Sequence, residues 1–202
     1  MADSSIMSKQ ARAPVFPIRQ STQYNCMAAS LSMSLKACGI ASEECSTELV
    51  NKVMGARPMQ GAAWENALAC AQHYGCRATL VVPATLRQVK GWTDRGTPVM
   101  IAWNPEGREW SHASVIFDVV EGIGGLVVHV ADPNIPNPDK LTREMSEDEF
   151  YSRWFERFPE YLVRRPACAI EREITPDGRQ VVASSRMDLR VAHRFLNRGR
   201  WT

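Results

Sequence analysis

The sequence predicts an α+β fold, helices packed on an antiparallel sheet, and three observations point there. Through the first half of the chain apolar residues recur at helical spacing, as in Ala28, Leu31 and Leu35 or Trp64, Leu68 and Ala71. After Gly96 the texture changes to short runs rich in β-branched residues, separated by turn residues: Pro98–Trp103, His112–Val120 and Leu126–Ala131. The two textures are segregated, whereas a parallel βαβ fold would alternate them. With 202 residues, 45% of them hydrophobic, the chain is long enough for one domain with a sizeable core.

Residues 1–14 are polar, rich in alanine and serine, and read as a flexible N-terminus. Pro14 and Pro17 hold Val15–Ile18 out of helix. The spacing predicts a helix from Cys26 to about Ala37, stopped near Gly39 as a C-cap. A second helix is expected over Ser46–Val53, and a third over Ala62–Tyr74, closed by Gly75. Cys76–Val82 reads as a strand and Thr85–Trp92 as a short helix carrying Leu86 and Val89. Pro98–Trp103 is nearly all apolar, as a buried central strand should be. The glycine-rich turn Gly122–Gly125 joins the next two strands, and Ile135–Asp139 is a proline-broken loop. Ser146 with Glu149 three residues on matches a capping box and opens a helix to Phe155. Tyr161–Ile170 is expected to close the sheet.

Composition excludes several classes. A net charge of +2 argues against a dedicated polyanion binder. Cys26, Cys38, Cys45, Cys70, Cys76 and Cys168 form no CxxC pair or His/Cys cluster, so neither structural zinc nor any cofactor is expected. The N-terminus lacks the apolar core of a signal peptide, and no apolar run is long enough to span a bilayer. The expectation is a cytoplasmic protein with free thiols and no membrane partner.

One cysteine stands apart. Cys26 falls where a polar stretch turns into a helix, among unpaired N–H groups at the positive end of the helix dipole. Both features favour the thiolate, which is the nucleophile. The other five cysteines lack such surroundings and read as core or surface filler. A cysteine nucleophile needs a base and a third group to orient that base. His73 lies inside a helix, His129 in an apolar strand and His193 in a basic tail. His112 instead follows Trp110-Ser111 where a polar turn becomes a strand. Asp132 ends the following strand, so an antiparallel pairing brings the two ends side by side, although the segment lengths do not match in register. Asp132-Pro133-Asn134 is also what a simple turn would use.

Gln20 six positions before Cys26, His112 heading a strand and Asp132-Pro133 after the next one together resemble the C39 family of papain-like cysteine peptidases. The resemblance runs over residues 15–170. It extends to Gly61-Ala62-Ala63-Trp64 opening a helix, Gly96-Thr97-Pro98-Val99 entering a strand, and the segment Met145 to Trp154. It implies a papain-like fold, with Cys26 as nucleophile, His112 as general base, Asp132 orienting the imidazole and Gln20 donating to the oxyanion. It also implies a peptide or protein substrate; members commonly cut after a Gly-Gly leader ending as part of an ABC exporter. The chain departs from the pattern at Asn25 and Met27, where the family usually shows Asp and Gly, and it is expected to stand alone, without an ABC transporter. A related thiol acyltransferase or amidase, and a silent papain-like module that binds a partner, stand as alternative readings.

Residues 171–202 read as a basic extension, with Ile174–Val182 as a hairpin and Met187–Leu196 as a short helix. From Arg164 onward nine arginines face four carboxylates. The charge fits either a solvated face or docking on an acidic partner or assembly subunit; aromatic interleaving is too sparse to expect nucleic acid.

Overall fold

The computed structural model describes residues 12–56, 61–105, 111–135, 137, 140–158 and 162–172. Its centre is a six-stranded antiparallel sheet in the order β1-β8-β2-β3-β4-β5. The strands are β1 (Cys76–Val81), β2 (Val99–Trp103), β3 (His112–Gly122), β4 (Gly125–Ala131), β5 (Thr142–Ser146) and β8 (Ala167–Arg172). One face is covered by α1 (Cys26–Ala37), α2 (Thr47–Met54) and α3 (Trp64–His73), the other by α4 (Leu86–Thr93) and α5 (Glu147–Arg153). Alternation along β2 feeds both layers. Met100 joins Leu31, Leu35 and Val115 on the α1 side, while Val99, Ile101 and Trp103 join Val89, Phe150 and Trp154 on the other. With both faces packed, all five residues of β2 are buried, which is why that strand reads as a continuous apolar run.

The helices lie within about two residues of their expected bounds, and the local chemistry is visible at their ends. Ser46 caps α2 by accepting from the Leu49 N–H, Thr85 and Gln88 make a reciprocal capping box on α4, and Ser146 accepts from the Glu149 N–H on α5. Gly39, just past α1, is left-handed with φ 82°; a Cβ there would stand 2.9 Å from the Arg172 guanidinium. The β3–β4 hairpin turns at Ile123-Gly124, and Gly125, with φ 125° and Glu147 packed against it, admits no side chain without strain.

Three features differ from the sequence expectation. The stretch expected to close the sheet, Tyr161–Ile170, does not do so over its described residues, 162–170. Arg165 is left-handed (φ 54°), its N–H bonded to Trp154 O and its carbonyl to Ala84 N. That corner separates β7 (Leu162–Arg164), which among the described residues pairs with β6 (Phe155–Arg157) alone, from β8. A non-glycine residue in that region carries no residue-type signal. Second, β8 is inserted between β1 and β2 and continues to Arg172, where the guanidinium bonds the carbonyls of Cys38 and Gly39. Third, Arg12 pairs with the buried Asp118 at 2.7 Å and Ala13 is buried, while the rest of the expected flexible N-terminus, residues 1–11, lies outside the described residues. The expected hairpin over 174–182 and helix over 187–196 lie outside the described residues.

A central β8 gives an expected outcome for truncation. A chain ending at Arg172 keeps every described strand of the sheet and should show the circular dichroism of the full chain, with a melting temperature within a few degrees. A chain ending at Pro166 leaves β1 and β2 without their shared partner and should not fold. A Pro166 truncation that melted cooperatively would contradict the strand order.

Candidate active site

Helix α1 begins at Cys26 because the preceding residues spend their polar groups on one another. Asn25, at the N-cap, makes no side-chain bond to the helix; its Oδ1 accepts from Thr22 N (3.1 Å) and its Nδ2 donates to Ser21 Oγ (2.9 Å). The first turn carries no acidic residue either. Its N–H groups are therefore available to the thiol, and the backbone N–H groups of Met27 and Ala113 favour the Cys26 thiolate.

The imidazole arrives from the sheet. His112 opens β3 opposite Trp103, and Asp132 follows β4. The length mismatch between the two segments is absorbed by a β-bulge between Ile116 and Asp118. Beyond it Val115 pairs with Ala131, so the register continued by one residue sets Asp132 level with Ser114, on the same face as His112 and one diagonal away. His112 Nε2 and Asp132 Oδ1 lie 2.7 Å apart, both side chains almost wholly buried. With Nε2 committed to Asp132, Nδ1 is the ring nitrogen left for Cys26, and thiol and imidazole shift one another's pKa.

Electrostatics follow the geometry. Burial pushes the Cys26 thiol up, but the hydrogen bond and charge of His112, with the Ala113 and Met27 N–H groups, outweigh it and leave the pKa lowered. Burial works against the imidazolium of His112 too; Asp132 and Cys26 together raise it to about 9. Asp132 is lowered despite its burial by His112, the Asn134 N–H and Arg143. The three groups thus favour a thiolate–imidazolium–carboxylate row. Elsewhere burial raises Cys45, and raises Cys70 and Cys168 to about 12. Cys38 Sγ donates to Ile170 O and Cys76 Sγ to Tyr74 O; the proximity of the two thiols raises Cys38 and lowers Cys76, but Cys76 is 1% exposed.

Gln20 is brought close by its backbone N–H, which donates to Pro133 O at 3.0 Å and ties it to the Asp132 turn. Its side-chain Nε2 donates to Thr22 O (2.9 Å), engaging one of the two amide N–H groups, and Oε1 is buried without a partner. The other described histidines stay apart. His73 ends α3 against Tyr74, and His129 faces Glu144 from mid-β4; His193 lies outside the described residues. Sequence reasoning missed Arg143, on β5, whose Nη2 lies 2.8 Å from Asp132 Oδ2. Among the described residues there is no cluster able to hold a metal ion, and no helix long and apolar enough to cross a membrane.

No protein-family model matches the chain, and no curated protein matches it by sequence. Solved structures do match. The chain superposes on a double glycine motif protease from an AMS/PCAT transporter, crystallised with its leader peptide, with a TM-score of 0.59 and 21% identity, covering 82% of this chain and 96% of that one. The peptidase domain of Streptococcus ComA, a bifunctional ABC transporter in quorum sensing, matches with a TM-score of 0.61 and 16% identity, covering 79% and 100%. A protein assigned as a C39-like peptidase from Bacillus anthracis matches with a TM-score of 0.57 and 15% identity, covering 80% and 96%. The fold is that of C39, papain-like peptidase domains. At these identities the likeness establishes architecture and leaves the chemistry to the residues themselves.

Proposed function

We propose that the chain is a C39-like cysteine peptidase in which Cys26 is the nucleophile, His112 the general base and acid, Asp132 the group that orients the imidazole, and Gln20 an oxyanion donor. The observation that carries the reading is one imidazole, 2.7 Å from a buried carboxylate, that lowers the pKa of a thiol at a helix N-terminus and has its own raised. The thiolate attacks the scissile carbonyl carbon, a C–S bond forms, and the negative charge moves to the oxygen. The Cys26 N–H in the first turn and the Gln20 amide are the donors for that oxygen. His112 gives its Nδ1 proton to the leaving amine as the C–N bond breaks, then takes a proton from water as the water oxygen bonds to the acyl carbon; the C–S bond breaks, releasing the acid and restoring the thiolate. For the Gln20 amide to serve, its second N–H must face the carbonyl, or the bond to Thr22 must open when substrate enters. By analogy with other oxyanion holes, losing this donor should cost roughly a hundredfold or more in rate. A peptide or protein is the substrate class, as for the double glycine motif protease crystallised with a leader peptide. Whether the acyl-enzyme passes to water or to an amine is read by product analysis with added amine.

Selective labelling tests the assignment of the nucleophile. Iodoacetamide at limiting dose and neutral pH should alkylate Cys26 before the other five thiols, because its lowered pKa coincides with partial exposure. Mass spectrometry locating the first label on Cys38 or Cys45, with Cys26 inert, would sink the reading.

A further inference from the structure

The proposed roles account for one carboxylate oxygen of Asp132 and leave the other. Oδ1 serves His112 Nε2 and also accepts from the Asn134 N–H at 2.9 Å. Oδ2 faces the guanidinium of Arg143 at 2.8 Å. Arg143 pairs in register with Val130, which places it on the same face of the sheet as Trp103, His112 and Ser114. Its guanidinium carbon stands 5.3 Å from the centroid of the Trp103 ring. That ring cannot give way: it is fully buried and its Nε1 donates to Ser114 Oγ at 2.9 Å. A fixed indole thus holds a fixed cation against the far oxygen of Asp132.

We propose that Arg143 is a positioning residue that balances charge: seated on Trp103, it draws the charge of Asp132 toward Oδ2 and so lets the His112 imidazolium release its proton to the leaving group. The proposal rests on the Cys26–His112–Asp132 reading. A buried carboxylate 2.7 Å from an imidazolium, uncompensated, would hold that proton too tightly for a general acid working near neutral pH. A cation on the opposite oxygen offsets this. Orientation alone does not require Arg143, because Oδ1 keeps its bonds to His112 and Asn134 without it. The charged groups facing the imidazole are Cys26 from α1 and Asp132 from the end of β4; Asp132 is faced in turn by His112 and Arg143. The His129–Glu144 pair sits one residue along in the β4–β5 register, on the other side of the sheet.

The test needs no substrate. The rate of Cys26 alkylation by iodoacetamide is followed from pH 4 to 11 in the full chain. Reactivity appears as the thiolate–imidazolium pair forms and changes again as His112 loses its proton. In Arg143→Met the upper step should move up by about one pH unit, the size expected when a nearby unit charge is removed. Arg143→Lys, which keeps the charge, should restore it. Circular dichroism checks the fold, with Arg143→Gln as the second neutral variant. An upper step that stays in place or moves down in a folded neutral variant overturns the proposal. Failure of both neutral variants to fold does so as well, since the pair is then structural. A wild-type Cys26 that shows no reactivity at neutral pH instead removes the underlying reading of the site.

Discussion

Cys26→Ala and His112→Ala should each lower peptide turnover by roughly a thousandfold or more, to the level left by binding and oxyanion donors alone. The two losses should not add, because nucleophile and base act as a unit. Combining them should cost about what either costs singly. Both variants should fold. Cys26 is half-buried at a helix end, and removing the His112 ring leaves Asp132 still bonded to Arg143 and the Asn134 N–H. Turnover of a peptide substrate found by proteomic comparison of wild type with Cys26→Ala provides the measurement, with thermal melting as the control for folding. Near-normal turnover in His112→Ala would reassign the base.

The same pair sets the pH dependence. In the proposed mechanism Cys26 acts deprotonated and His112 protonated, so activity should rise through the lowered thiol pKa and fall as the imidazolium is lost near pH 9. Stability follows the same direction for His112. Its folded pKa lies above the ordinary 6.5, so its contribution is fully present below 6.5 and lost as pH rises through about 9. Asp132 acts in the opposite sense: its contribution is present above the ordinary carboxylate value and lost as pH falls through the lowered one.

Much of this was legible in the sequence because the relevant signals are local. The switch from polar residues to helical spacing locates Cys26, and the change from turn to strand locates His112. Asp132 was visible as the end of the neighbouring strand, with a length mismatch the sequence could not resolve. The bulge between Ile116 and Asp118 resolves it, and no residue in Val115-Ile116-Phe117-Asp118 advertises an extra position. Arg143 was illegible for a different reason. Its relation to Asp132 passes through the loop that connects β4 to the edge strand β5, and its seat on Trp103 joins residues forty positions apart. An arginine on an edge strand normally reads as a solvated charge. The central place of β8 was hidden likewise, since it depends on a left-handed Arg165 that residue type does not announce.

Asp132→Asn should have the second largest effect, and the surroundings of the carboxylate say how it arises. Three donors converge on two oxygens: His112 Nε2–H and the Asn134 N–H on Oδ1, and Arg143 on Oδ2. An asparagine offers one carbonyl oxygen and one NH2, so it cannot satisfy both sides. With its oxygen toward His112, the NH2 group points at a guanidinium in a buried site. With its oxygen toward Arg143, the NH2 group faces Nε2 and forces that nitrogen to accept, which puts the ring proton on Nδ1. A neutral imidazole in that tautomer cannot take the thiol proton. Turnover should therefore fall by about a hundredfold to ten-thousandfold, less than complete, since nucleophile and base remain. His112 also loses the carboxylate that raises it, so the upper step in Cys26 alkylation should move to lower pH, opposite in sign to the shift expected for Arg143→Met. Two measurements decide: kcat against wild type, and the alkylation profile across pH. An Asp132→Asn protein that kept more than half its activity with the upper step unmoved would show that the His112–Asp132 contact is structural and takes no part in the chemistry.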